Sequence, residues 1–390
     1  MSTTTPSTEH PRPLAGVRVI ELAHWMAGPA AGGIMSDWGA EVIKVEPHGG
    51  EPMRNIWGKM GANPDAPNGA FISANRGKKS VELDVQSEEG QDRLHELLGS
   101  ADVLLTNLRP GALERLGLAP AQVADRHAHL VYCSLTAYGW GGPDQDKAGY
   151  DLASFFGRTG IAHEITTQGT PPAALLQGLG DTYTAMTAVA GILAALHERQ
   201  STGRGRFVEA SLLRTGMWAL AGELGVQAMG GHPRPPKPRE QCGTPMYNSY
   251  PTSDGRWFYL VGVQADRQLP KVLAAIGRSD LLEDERFASA RALSKNRGEV
   301  IAILDEAFRR QPLEHWGAVL DEHDVFWAPV QTPAEVVDDP QAHAMGAWIS
   351  VDGHPSVDSP IRFDQLSRRE APRPPRAGEH SEELLRARAT

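Results

Sequence analysis

An α/β fold with a mainly parallel sheet, joined to a smaller α+β domain, is predicted by three features of this sequence. Short β-rich runs alternate with stretches of helix length, polar and glycine-bearing residues collect where the runs end, and one proline-rich segment divides the chain. The runs are Val17–Leu22, Glu41–Glu46, Val81–Val85, Ala101–Thr106 and Leu130–Leu135, with Ala27–Trp38, Glu88–Gly99 and Gly111–His127 between them. Each intervening stretch is long enough for a crossover helix, so the runs assemble as right-handed βαβ units. Sheets of this kind take ligands outside the carboxyl ends of their strands. Here those ends carry His24–Pro29, Glu46-Pro47, Asn107–Gly111 and Thr136–Pro143.

A chain of 390 residues exceeds the size at which one core usually stops growing, so two domains are expected. The run Gly230–Arg239 is stiffened by proline and fits neither a helix nor a central strand. The expected organisation is an N-terminal tail over 1–13, a large Rossmann-like domain over 14–229, a linker over 230–240 and a small domain over 241–328. The remaining residues, 329–390, return to the large domain and end in a charged tail. Within the small domain, Gly255–Val263 reads as a strand and Gln268–Ile276 and Arg297–Phe308 as helices.

Composition narrows the function. A hydrophobic content of 41% with 22% charged residues describes an ordinary globular protein, and a net charge of −10 argues against nucleic acid as a partner. The two cysteines, Cys133 and Cys242, match no metal or redox spacing, so neither a zinc site nor a disulfide framework is expected. The first residues lack the apolar core of a signal peptide, and no stretch reads as a membrane span. A cytoplasmic protein without a membrane partner is the expectation.

Asp181 is the leading candidate for chemistry. It lies between the turn Gly178–Asp181 and the apolar stretch Met186–Leu196, where helix amides lack partners. The positive end of the helix would hold its carboxylate ionised, and the flanking glycines would let an acyl group come close. Two readings follow from the residues alone: a helix cap, or a nucleophile. Arg76, Lys78 and Lys79, with Lys44, Arg109 and Arg115 at other strand ends, are either solvated charges or a converging phosphate site. No Walker or Gly-x-Gly-x-x-Gly motif accounts for them. Tyr138, Trp140 and Tyr150 either flank an acyl or pantetheine arm or pack in the core, and His24 is either a hydrogen-bond donor to substrate or a satisfied loop residue.

The chain resembles a known family. Leu14–Leu22 (LAGVRVIEL), Ala27-Gly-Pro29, Gly39–Pro47 (GAEVIKVEP), Asn75–Ser80 (NRGKKS), Asn107–Gly111 (NLRPG), Leu179-Gly-Asp181 and Thr202–Gly205 (TGRG) are similar, in order, to the family III CoA-transferases, the group of formyl-CoA transferase and carnitine CoA-transferase. The resemblance implies two subunits threaded through one another as an interlocked homodimer, each with a large domain built from both chain ends. It implies acyl-CoA and a carboxylic acid as substrates and no permanently bound cofactor. Carried over by position, Asp181 becomes the aspartate that forms acyl-enzyme anhydrides, while Lys78, Asn107, Leu108 and Arg115 line the CoA site. Arg109, Pro47, His24 and Gly28 complete the candidate CoA-binding set, and Met26, Tyr138 and Tyr150 the acyl side.

Two departures bear on the reaction. The glycine-rich loop that covers the aspartate in formyl-CoA transferase has no counterpart near Gln241–Tyr247, which argues against oxalate or formate as acceptor. The related α-methylacyl-CoA racemases have a histidine where this chain has Tyr150, between Gly149 and Asp151. A phenol of ordinary pKa near 10 is a poor base at neutral pH, which disfavours two-base proton exchange. Racemisation and a non-catalytic CoA-binding role stand as the alternatives to CoA transfer, with specificity expected in Gln241–Tyr250 and in the partner's loops.

Overall fold

The computed structural model describes residues 12–56, 67–173, 175–232, 237–241, 244–364 and 370–385. Residues 1–11 of the expected tail, 233–236 of the expected linker and Cys242 lie outside them. The described chain separates into two compact units. One comprises Met1–Ala162, Ala174–His232 and Gln341–Thr390, the other His163–Ala173 and Pro233–Pro340.

The large unit is organised by a six-stranded, wholly parallel sheet. Its strands are β1 (Arg18–Leu22), β2 (Glu41–Glu46), β3 (Lys79–Glu82), β4 (Val103–Thr106), β5 (Val131–Thr136) and β6 (Phe207–Ser211), in the spatial order β3-β2-β1-β4-β5-β6. This order reverses direction between β1 and β4, opening a crevice at their carboxyl ends. Alternate side chains of each strand enter opposite layers, as the pleat requires. Val19, Val42, Val103 and Leu105 join the layer of helices α1 (Ala27–Asp37) and α6 (Leu179–Thr202). Ile20, Ile43 and Leu104 join that of α3 (Glu88–Gly99), α4 (Pro110–Arg115) and α5 (Pro120–Arg126). The short helix α2 (Gly69–Asn75) leads into β3 and is capped by the Asn68 side chain, which accepts from Phe71 N at 3.0 Å.

Several elements differ from expectation for identifiable reasons. The stretch 111–127 forms two helices because Gly117, at φ +68°, and Pro120 interrupt it. β3 begins at Lys79 rather than Val81, set by its pairing of Ile43 with Lys79. Helix α6 starts well before Met186, so Asp181 lies in its first turn instead of capping it. The N-cap is Gly178, whose φ of +85° suits glycine. α6 is also the one described helix long and apolar enough for a membrane span, with a mean hydropathy of 1.3 over its most apolar window. In the fold it lies on the sheet, burying Ala185, Ala188, Val189, Ile192 and Ala195.

In the small unit an antiparallel sheet, β7 (Tyr247–Pro251), β8 (Trp257–Val261) and β9 (Trp327–Pro329), packs with helices around Tyr250, Phe258, Phe308 and Trp316. The small domain was expected to end at residue 328, inside β9. The pairing of Leu260 with Trp327 keeps this strand in the small unit, and the large unit resumes at Gln341. That last segment adds β10 (Trp348–Val351), β11 (His354–Val357) and β12 (Glu370–Ala371). Ile192, fully buried between α6 and the sheet, gives a direct check of this packing. Ile192→Ala should lower the free energy of unfolding by about 3 kcal/mol in chemical denaturation.

Candidate active site

Asp181 is the third residue of α6, and its surroundings begin with the glycine before it. A Cβ on Gly180 would lie 2.6 Å from Phe155 Cγ and 2.9 Å from Asp151 Cβ, so this glycine serves close packing within the protein. Asp151, itself buried, accepts hydrogen bonds from Leu152 N and Gly178 N, both at 2.7 Å. It thereby ties the π-helical turn Leu152–Gly157 to the start of α6. No described residue donates a hydrogen bond to the Asp181 carboxylate. Burial, and next the charge of Asp151, push its pKa up to about 7. The helix end was expected to hold this group ionised, but desolvation and a like charge outweigh the macrodipole.

Two cavities open at the crevice between β1 and β4. The larger, about 730 Å³, is lined by His24, Pro47, Leu108 and Arg115, together with His48, Asp84 and Gln91. The smaller, about 230 Å³, holds Asp181 with Trp25, Met26, Asn107, Arg109 and Tyr150, and Lys147 at its wall. Residues 24–26 and 107–109 form the partition: His24 and Leu108 face the first space, their neighbours the second. Arg115 has no carboxylate partner among the described residues. Burial, then the Lys44 ammonium, lower the pKa of His24, so its ring is neutral at pH 7, and its Nδ1 is buried without a described partner.

The model of the CoA-transferase family III matches residues 14–381. The chain belongs to the family III CoA-transferases. It is 34% identical over 381 residues to the (R)-2-hydroxy-4-methylpentanoate CoA-transferase of Clostridioides difficile, covering 96% of this chain and 95% of that one. It is also 34% identical to the cinnamoyl-CoA:phenyllactate CoA-transferase of Clostridium sporogenes, over 85% of this chain and 81% of the other. A CAIB/BAIF family protein from Brucella suis shares the fold with a TM-score of 0.84 and 31% identity, covering 96% and 99% of the two chains.

In this family III CoA-transferase not every expected site residue reaches a cavity. Lys78 Nζ is fully buried, donating to Glu21 Oε2 at 2.6 Å, Pro29 O at 2.9 Å and Asn75 Oδ1 at 3.1 Å. Of the other cations, Arg109 and Arg115 line the two cavities and three are paired elsewhere. Arg76 pairs with Asp37, Lys79 with Glu41 and Glu383, and Lys44 with Glu21 and Glu51. Gly28 lets α1 approach its own lead-in: a Cβ there would sit 2.6 Å from Ala23 Cβ. Tyr138 lines a different cavity, beside Trp140 and Trp218, and stacks under Arg158 at 5.3 Å. Asn107 lines the small cavity while both ends of its amide hold the His24 backbone.

Trp25, Lys147 and Asp151 were not singled out from the sequence. The neighbouring motifs contain Trp25 and Asp151, but only the fold turns them toward Asp181. Asp151→Asn removes the charge and keeps one of the two acceptors that serve Leu152 N and Gly178 N. Because Asp181 titrates above its free value of 3.8, its contribution to stability is complete below about pH 4 and is lost as pH rises through about 7. In Asp151→Asn this loss, followed by denaturation against pH, should shift to lower pH by less than half of the total rise, since burial is the larger cause.

Proposed function

We propose that this enzyme moves CoA from an acyl-CoA thioester to a free carboxylic acid, with Asp181 as the covalent carrier. The observation that carries this reading is Asp181 itself, a carboxylate with no hydrogen-bond donor among the described residues, facing a cavity next to a larger, Arg115-lined one. A desolvated carboxylate is a stronger nucleophile than one in water, and an aligned thioester carbonyl is open to it. Its raised pKa leaves a substantial ionised fraction at neutral pH.

The steps balance without ATP or metal. Asp181 attacks the thioester carbonyl, the C–S bond breaks, and CoA thiolate remains bound beside an aspartyl-acyl anhydride. The thiolate attacks the Asp181 carbonyl, releasing the donor acid and leaving an aspartyl-CoA thioester. The acceptor carboxylate then attacks that thioester, forming a second anhydride and freeing thiolate again. Attack of thiolate on the acceptor carbonyl yields the new acyl-CoA and restores Asp181. The thioester's energy passes from one acid to the other. Arg115 suits the CoA phosphates, Arg109 suits the end of the CoA arm nearest Asp181, and the neutral His24 suits a hydrogen bond to the pantetheine arm. Tyr150 and Met26 suit the acyl group.

The same reading includes a cytosolic, interlocked homodimer. The exposed Trp218, Met217 and Met229, apolar side chains left open to solvent in one chain, support pairing of two copies. Tyr150, 61% exposed, puts a phenol where a racemase carries a histidine, and this supports transfer over racemisation. Asp181→Ala should retain fold and assembly while transfer, followed by mass spectrometry of the acyl-CoA pool, falls at least about a thousandfold. Near-normal turnover in that variant would exclude Asp181 as nucleophile.

A further inference from the structure

Trp25 occupies a conformation that bulky residues rarely take. Its φ is +67°, within the left-handed region, although it immediately precedes the helix leading away from β1. Such a backbone persists only where its surroundings over-determine it. Here they do, and from four separate directions. Lys44 of β2 donates to Ala23 O at 2.9 Å, and Asn107 after β4 both donates to His24 O at 2.6 Å and accepts from His24 N at 3.0 Å. Lys78 donates to Pro29 O, and Glu51 Oε2 accepts from Trp25 N at 2.7 Å.

Glu51 is the member of this set that the chemistry leaves without a role. It is 1% exposed, and its other oxygen makes a 2.7 Å ion pair with Lys44. Lys44 also bonds Glu21, which Lys78 meets from the far side, so two glutamates and two lysines balance one another out of water. A carboxylate buried at such cost, with one oxygen spent on a strained backbone amide, indicates that the amide's place matters. What that place sets is the Trp25 ring, which stands edge-on to Tyr150 at 5.8 Å on the wall of the Asp181 cavity.

We propose that Glu51 is a positioning residue for CoA transfer, holding the Trp25 amide so that the indole is fixed against Tyr150 beside Asp181. Glu51 touches no substrate itself. Its influence passes through Trp25 to the acyl group, leaving the larger cavity unchanged. The inference rests on the Asp181 reading, which Asp181→Ala tests separately.

The test is a double-mutant cycle on the full-length enzyme, with kcat and the KM for acyl-CoA measured in Glu51→Gln, Trp25→Gly and their combination. Glutamine offers one acceptor oxygen to two donors, Trp25 N and the Lys44 ammonium, and the charged donor takes it. Glu51→Gln should therefore lower kcat about ten- to a hundredfold, as misplacement by a fraction of an ångström can, with KM changed by less than about threefold. If Glu51 acts through the indole, adding Glu51→Gln to Trp25→Gly costs nothing further. Independent, multiplying losses, or unchanged kcat in folded Glu51→Gln, overturn the proposal. Should Glu51→Gln fail to fold, Lys44→Met with Glu51→Leu keeps the buried charge balanced and takes its place in the cycle. Trp25→Gly is free of strain at this φ and folds in any case, and unchanged turnover in it alone would also overturn the proposal. A slow Glu51 variant that still acylates Asp181 supports the positioning role, whereas one that has lost its KM for acyl-CoA contradicts it.

Discussion

Two lysine ammonium groups held out of water at the carboxyl edge of the sheet constrain everything built above it. Lys44 and Lys78 exist there only because Glu21 and Glu51 neutralise them, and a buried pair of this kind is costly to break. Burial lowers the pKa of Lys78 to about 8 despite Glu21, whereas for Lys44 the two carboxylates outweigh burial and raise it. Lys44 also donates to Ala23 O, and Lys78 to Pro29 O and Asn75 Oδ1. The backbone on both sides of residues 24–26, which separate the two cavities, is thus fastened to the sheet by buried charge.

Asp181 obeys the opposite logic. Among the described residues it has no cationic partner and accepts no hydrogen bond, and the charge of Asp151 is close by, so its ionised form is disfavoured. In the proposed role of nucleophile this would be useful, since ground-state stabilisation of the anion would have to be surrendered when it attacks. Asp151 contributes twice, once by charge and once by tying the turn that sets where α6 begins. Glycine at 180 makes that junction compact enough for both effects to operate.

The strand runs and their crossover helices were legible because period and composition suffice to mark buried parallel strands. β6 and the closing strands β10–β12 were not, for β6 is half exposed along its length and the others are short and depend on distant pairing. At the site, His24, Pro47, Leu108 and Arg115 were placed at one cavity by their positions at strand ends, and Met26, Asn107, Arg109 and Tyr150 beside Asp181. The burial of Lys78 was not legible, because a lysine near a strand end looks alike in sequence whether it faces solvent or a buried glutamate. The partner, Glu21, lies 57 residues away. Trp25 was unreadable for a related reason: its left-handed backbone is held by distant residues, Glu51 among them, and no local propensity announces it.

We propose that the carboxyl group of Asp181 becomes covalently joined to both acids in turn. Transfer to an acceptor acid whose carboxylate carries heavy oxygen, followed by digestion and mass spectrometry of the peptide containing Asp181, examines this directly. The anhydride route leaves one heavy oxygen in the Asp181 carboxylate after a single transfer, as one light oxygen departs with the donor acid. Labelled acid converted fully to acyl-CoA with the Asp181 peptide left light would contradict it.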